Sequence, residues 1–93
     1  DDLEAFIREA RRQIPFTTKI EIECENYDDA VRAMEVGADI VMCDNMSKEE
    51  IERVVRFRNE NHPGVLLEAS GNITLENIRE MAMTGVDAIS SGS

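Results

Sequence analysis

Four short stretches of this sequence end on residues able to do chemistry. Lys19-Ile-Glu-Ile-Glu-Cys24 carries Glu21 and Glu23, and Ile40-Val-Met-Cys-Asp44 carries Asp44. Leu66-Leu-Glu-Ala-Ser70 carries Glu68 and runs into the turn Ser70-Gly71-Asn72, and Ser91-Gly92-Ser93 is a second turn of the same kind. Carboxylates such as Glu23 and Asp44 accept hydrogen bonds from hydroxyls, seat a cation, or stabilise positive charge that develops in a reaction. A Ser-Gly turn lets the backbone come close to a phosphate. Nucleophilic catalysis has little support. The single histidine, His62, sits in a His-Pro-Gly turn, and Cys24 and Cys43 lack metal-ligand or redox-motif spacing, as expected of a reduced pair.

The elements that must position these groups are legible from periodicity. Leu3, Phe6, Ile7 and Ala10 recur as one face of a helix that ends before Pro15. Residues 19–24 alternate as a strand. Asn26 is placed to cap a helix with Ala30, Ala33 and Met34 inward, closed by Gly37, and residues 39–43 form the next strand. Ser47 and Glu50 form a capping-box pair ahead of Ile51, Val54 and Val55. His62-Pro63-Gly64 turns the chain into a strand over 65–69. Thr74 then caps a helix with Leu75, Ile78, Met81 and Ala82 inward, closed by Gly85 before a strand over 88–91. The order is αβαβαβαβ, which implies crossovers between parallel strands: an α/β fold, four strand–helix units of a parallel β/α barrel, or half a barrel. Val36-Gly-Ala-Asp39 recurs as Thr84-Gly-Val-Asp87, each at a helix-to-strand junction.

Side-chain parity then sorts the strands into two faces. Ile20, Ile22, Cys24, Val41, Cys43, Val65, Leu67, Ala69 and Ile89 make an apolar face for the helices to cover. Glu21, Glu23, Met42, Asp44, Glu68, Ser70, Ser90 and Gly92 fall on the other. A doubly wound sheet needs both faces apolar, so the polar face suits a barrel interior that opens toward a site. Its carboxylates call for cations, and Lys19 is the one obvious candidate nearby; missing strands, another subunit, Mg²⁺ or a substrate would supply the rest. Glu23, Asp44, Ser70 and Gly92 lie at the C-terminal ends of their strands, where ligands bind in parallel β/α folds. The Ser70-Gly71-Asn72 and Ser91-Gly92-Ser93 loops, with the helix N-terminus after Thr74, are candidate phosphate cradles.

Composition narrows the classes. The 93 residues amount to one partial domain at most. A net charge of −10 and the lack of an aromatic-interleaved basic stripe argue against nucleic acid. No apolar run is long enough for a membrane span, and no basic-then-apolar leader is expected, so a cytoplasmic protein is the expectation. Arg53, Arg56 and Arg79 are expected to face solvent.

Lys19–Cys24, Gly37–Met46, Leu66–Gly71 and Thr84–Ser90, in this order and spacing, resemble the later part of the catalytic barrel of quinolinate phosphoribosyltransferase, across essentially all 93 residues. The resemblance implies a Mg²⁺-dependent transfer from phosphoribosyl pyrophosphate to quinolinate, releasing pyrophosphate and CO2 and giving nicotinate mononucleotide for NAD synthesis. It assigns Glu23 and Asp44 to the ribose hydroxyls, with Asp44 also near the metal. It assigns Ser70, Gly71, Asn72, Gly92 and Ser93 to the phosphate. Asn72 stands where the family usually has a second Gly, and Ser91-Gly92-Ser93 where it usually has Val-Gly-Ala. The cationic residues that grip quinolinate belong to earlier strands and an N-terminal domain, which are absent here. The expectation is thus a donor-binding portion that is inactive alone and self-associates through open sheet edges. The alternatives are a same-fold relative with a different acceptor, such as the molybdenum-transport-associated homologues, or a non-catalytic scaffold.

Overall fold

A computed structural model of the chain describes residues 2–15 and 17–90. Its elements run α1 (Asp2–Gln13), β1 (Glu21–Cys24), α2 (Tyr27–Glu35), β2 (Ile40–Asp44), α3 (Lys48–Asn61), β3 (Leu66–Ser70), α4 (Ile78–Ala82) and β4 (Ala88–Ser90). The strands form one sheet in the order β1-β2-β3-β4, and every neighbouring pair is parallel. The alternating order expected from the sequence is therefore observed.

Register fixes which side chains share a level. Ile22 lies beside Val41 and Val41 beside Leu67, while Cys24, Cys43, Ala69 and Ile89 form the next row. These rows face the helices. Val41, Leu67, Cys43 and Ala69 are fully buried against Ile51 and Val54 of α3, Ala30 and Ala33 of α2, and Ile7 of α1 in one core. The burial stabilises each large side chain by about 1.5–3 kcal/mol. Burial also pushes the Cys24 thiol up to about 11, with Asp29 and Glu23 adding to it. Cys43 goes to about 12 for the same first reason, helped by Cys24 and Glu50. Both are free thiols that point away from the polar face.

Local caps set the helix starts. The Asn26 side chain accepts from the Asp29 N–H at 2.8 Å, and the Ser47 hydroxyl accepts from the Glu50 N–H at 3.1 Å. Glu50 does something other than close its own capping box. Its carboxylate accepts from the backbone N–H of Tyr27 at 2.8 Å, pinning the start of α2 to the start of α3.

Two junctions are built alike. The Asp39 carboxylate accepts from the Ile20 N–H at 2.8 Å and from Arg11 at 2.7 Å, and Arg11 also donates to the Gly37 carbonyl. The Asp87 carboxylate accepts from the Leu67 N–H at 2.8 Å and from Arg58 at 2.7 Å, and Arg58 also donates to the carbonyls of Gly85 and Val65. The repeated Gly-x-Asp is thus a staple at the strand entrances, opposite the end that carries the candidate site. Gly37 and Gly85 take positive φ of 106° and 104°, and a Cβ on Gly85 would meet Val55 at 2.8 Å.

Three expectations need correction. The last helix begins at Ile78 and spans five residues, and Leu75, expected inward, is 95% exposed. Thr74 nevertheless caps the turn that leads into it, as expected: the Asn77 side chain accepts from the Thr74 N–H, the Thr74 hydroxyl from the Asn77 N–H, and the Thr74 carbonyl from the Ile78 N–H at 2.9 Å. That turn aims Leu75 outward, and of the four residues expected inward only Met81 is buried. Phe6 likewise lies mostly outside the core at 59% exposure, because Ile7 alone on α1 reaches full burial.

Candidate functional site

The polar face of the sheet is layered. Glu23, Met42, Glu68 and Ala88 share one level, and Asp44, Ser70 and Ser90 the level above it. Glu23 is thus one layer deeper than Asp44, since β1 stops at Cys24, in register with Cys43. The upper level and the loops that follow it lie at the C-terminal ends of the strands, with Glu23 and Met42 just beneath. They line a cleft of about 610 Å³ formed by Glu23, Met42, Asp44, Asn45, Ser70, Gly71, Asn72 and Ser90.

Five of the sequence-selected residues therefore meet around one mouth: Glu23, Asp44, Ser70, Gly71 and Asn72. Gly92 and Ser93 lie outside the described residues. Glu21 and Glu68 share the polar face without lining the cleft.

The contacts within the site are specific. The Ser70 hydroxyl donates to the Asp44 carboxylate at 3.1 Å. The Asn45 N–H donates to the Ser70 carbonyl at 3.0 Å, carrying the β2–β3 pairing one residue beyond the strands. Gly71 and Asn72 follow with φ of 74° and 40°. A Cβ on Gly71 would collide with the Asn45 side-chain oxygen, meet the Asn45 Cγ at 2.7 Å and come within 2.9 Å of the Asp44 carboxylate, so the turn needs glycine for both conformation and room. Asn77 supports the loop from below, its amide donating to the Asn72 carbonyl at 2.8 Å. The helix N-terminus expected to face a phosphate begins only at Ile78, six residues beyond the 70–72 turn.

Two site residues escape the sequence reading. Asn45 has a signal, an Asx directly after a strand carboxylate, which is a residue type that tolerates left-handed backbone. Asn77 has only the weak signal of a side-chain amide three residues after a threonine. Away from the cleft, Arg58 is also missed, although it falls on the Ile51, Val54, Val55 stripe of α3 and is 7% exposed.

Among the described residues no group of three His, Cys, Asp or Glu side chains could hold a metal by itself, and no helix is long and apolar enough to cross a membrane.

Comparison with known proteins then settles the family. The family described as "Quinolinate phosphoribosyl transferase, C-terminal domain" matches residues 1–93. The chain belongs to this family. It is 46% identical over 93 residues to the probable carboxylating nicotinate-nucleotide pyrophosphorylase of Methanothermobacter thermautotrophicus, covering 98% of this chain and 33% of that protein. The human carboxylating nicotinate-nucleotide pyrophosphorylase is 40% identical over 90 residues, covering 97% of this chain and 30% of its own. The solved nicotinate-nucleotide pyrophosphorylase of Francisella tularensis superposes with a TM-score of 0.84 at 35% identity, over 99% of this chain and 32% of that one. This quinolinate phosphoribosyl transferase C-terminal domain thus spans about a third of the length of the curated relatives it matches.

Proposed function

We propose that the cleft binds the ribose 5-phosphate portion of phosphoribosyl pyrophosphate, as the donor-binding part of a cytoplasmic quinolinate phosphoribosyltransferase. In that reaction quinolinate and phosphoribosyl pyrophosphate give nicotinate mononucleotide, pyrophosphate and CO2, a step toward NAD. The observation that carries the reading is the meeting of two carboxylates, Glu23 and Asp44, with the Ser70-Gly71-Asn72 turn in a single cleft. The family names of the relatives support the choice of acceptor.

Glu23 and Asp44 accept hydrogen bonds from the ribose hydroxyls. Their negative charge stabilises the positive charge that builds at the anomeric carbon as pyrophosphate leaves. Ser70 and the backbone of Gly71 and Asn72, completed by Gly92 and Ser93, hold the 5′-phosphate and so convert binding energy at a non-reacting group into orientation of the sugar. No residue of the cleft has to act as a nucleophile.

Asp44 fits Mg²⁺ as a single-carboxylate seat. Mg²⁺ commonly keeps several waters and takes one or two protein carboxylates alongside substrate phosphates, so three protein ligands are not required. When bound, Mg²⁺ neutralises charge on the leaving pyrophosphate. The cations that would hold the quinolinate dianion are absent from the residues lining the cleft. The 93-residue chain alone is therefore expected to bind donor but not to turn over quinolinate.

Titration calorimetry with phosphoribosyl pyrophosphate tests the reading. Mg²⁺-dependent binding that Asp44→Ala abolishes is the expected result. Unaltered binding in Asp44→Ala, or none in the parent complete gene product, sinks it and favours a scaffold that keeps only the fold.

A further inference from the structure

Asn45 lies between the two halves of the cleft and belongs to no strand. Its φ is 57°, in the left-handed region, and it follows Asp44 directly. Three observations tie it to both sides. Its backbone N–H donates to the Ser70 carbonyl at 3.0 Å. Its side chain packs against Gly71 so closely that a Cβ there would meet the Asn45 Cγ at 2.7 Å. And it lines the same cleft as Asp44 and the 70–72 turn.

Chain direction explains why such a residue is needed. β2 ends at Asp44, and the chain must leave the sheet for α3, whose cap is Ser47. A residue continuing in extended conformation would carry the chain onward along β2 and away from that cap. The left-handed turn at Asn45 instead bends the chain immediately after the carboxylate while keeping one more bond to β3. The position of Asp44 relative to the Ser70-Gly71 turn is thereby set from the backbone, and the Ser70–Asp44 hydrogen bond of 3.1 Å records the result.

We propose that Asn45 is a positioning residue for the phosphoribosyl donor: its left-handed backbone holds the Asp44 carboxylate at a fixed separation from the Ser70-Gly71 turn. It acts through those groups rather than by touching the reacting atoms. The inference rests on the donor-binding reading of the cleft given above.

The mechanism predicts a particular order among variants. Glycine adopts positive φ freely, whereas alanine resists it. In Asn45→Ala the turn relaxes toward extended or right-handed backbone, and Asp44, directly before it, shifts. In Asn45→Gly the turn persists without the side chain. Steady-state kinetics on the complete gene product containing these residues separates the cases. The expected result is a KM for phosphoribosyl pyrophosphate raised about tenfold in Asn45→Ala, close to the parent value in Asn45→Gly, and a KM for the dicarboxylate acceptor little changed in both.

Thermal unfolding of the same variants supplies the second readout. A merely structural role lowers Tm in Asn45→Ala and leaves the donor KM where it was, which overturns the proposal. Equal rises in donor KM for Ala and Gly also overturn it, because they place the effect in the side-chain amide. Asp44→Asn serves as the reference for the underlying reading. If Asp44→Asn leaves the donor KM unchanged, the donor-binding assignment of the cleft itself fails. If Asp44→Asn raises it and Asn45→Ala does not, only the role of Asn45 fails.

Discussion

The Ser70 hydroxyl donates a hydrogen bond to the Asp44 carboxylate at 3.1 Å, joining the ends of β2 and β3 on the polar face of the sheet. The bond couples the acidic part of the cleft to the Ser70-Gly71-Asn72 turn. Asp44 is held toward Ser70, and Ser70 has its proton directed at a carboxylate until a ligand competes for it.

Ser70→Ala therefore removes both an anchor for Asp44 and a hydroxyl in the turn. Binding of phosphoribosyl pyrophosphate is expected to weaken by about tenfold, roughly 1.5 kcal/mol for a hydrogen bond involving a charged group. Stability should change by less than about 1 kcal/mol, since Ser70 is only half-buried. Calorimetric titration alongside chemical denaturation measures the two separately.

Gly71→Ala should do more damage than Ser70→Ala. Its φ of 74° costs an alanine about 1–2 kcal/mol, and the new Cβ collides with Asp44 and Asn45. Donor binding below detection, with a lowered denaturation midpoint, is the expected outcome. A variant that binds as well as the parent would show the turn to be free to rearrange.

The two staples at the strand entrances should differ in strength. The Arg58 side chain is 9% exposed and donates to Asp87, Gly85 and Val65, whereas that of Arg11 is 35% exposed. Arg58→Ala leaves two carbonyls and a carboxylate short of a donor, at a cost of about 2–4 kcal/mol, discounted because Asp87 is itself 40% exposed. Arg11→Ala should cost only about 1 kcal/mol. Urea denaturation of the two variants compares them directly.

Acid should loosen both staples together. Burial pushes the Asp39 and Asp87 carboxyls up, but the hydrogen bonds from the Ile20 and Leu67 N–H groups and from Arg11 and Arg58, with the arginine charges and Lys19 near Asp39, hold both below the usual carboxylate range. Native values below the unfolded ones mean that their contribution is complete above about pH 4 and fades as pH falls through the native values. Stability measured from pH 6 downward should be nearly flat in respect of these groups to about pH 4 and then decline. Replacing both with Asn should flatten the acid limb.

The 93-residue chain is expected to self-associate. β1 and β4 are the outer strands of the sheet, and Phe6, Leu75 and Met83 are exposed apolar side chains. The net charge of −10 opposes association, so it should strengthen at physiological salt, where the screening length is about 8 Å. Sedimentation velocity over a concentration series reads this out, and a strictly monomeric species at high concentration counts against it.

Much of this architecture is legible in the sequence because it depends on local, periodic rules. Strand parity placed Glu23, Asp44 and Ser70 on one side and Cys24, Cys43 and Ala69 on the other, as observed. The caps at Asn26 and Ser47 needed only short-range geometry. What the sequence left hidden depends on tertiary partners. Glu50 leaves its own helix for Tyr27, a choice that exists only once α2 and α3 are adjacent. Leu75 fits an inward helical position by spacing, but it lies in the turn between the Thr74 cap and the helix and stays exposed. The Arg58 position on an apolar stripe was a readable sign of burial that its charge obscured.

The paired staples have one further consequence. Ile20 and Leu67 occupy the same place in them, each bonded through its N–H to the aspartate of the next strand. Three residues onward from each stand Glu23 and Ser70. One layout, used twice, thus presents an acceptor in its first copy and a donor in its second, matching the opposite needs of a sugar and of a phosphate. With the proposed donor bound, a sugar phosphate lying across the mouth would point its phosphate toward the later copy, and the polarity of the ligand would follow the direction in which the polypeptide is written.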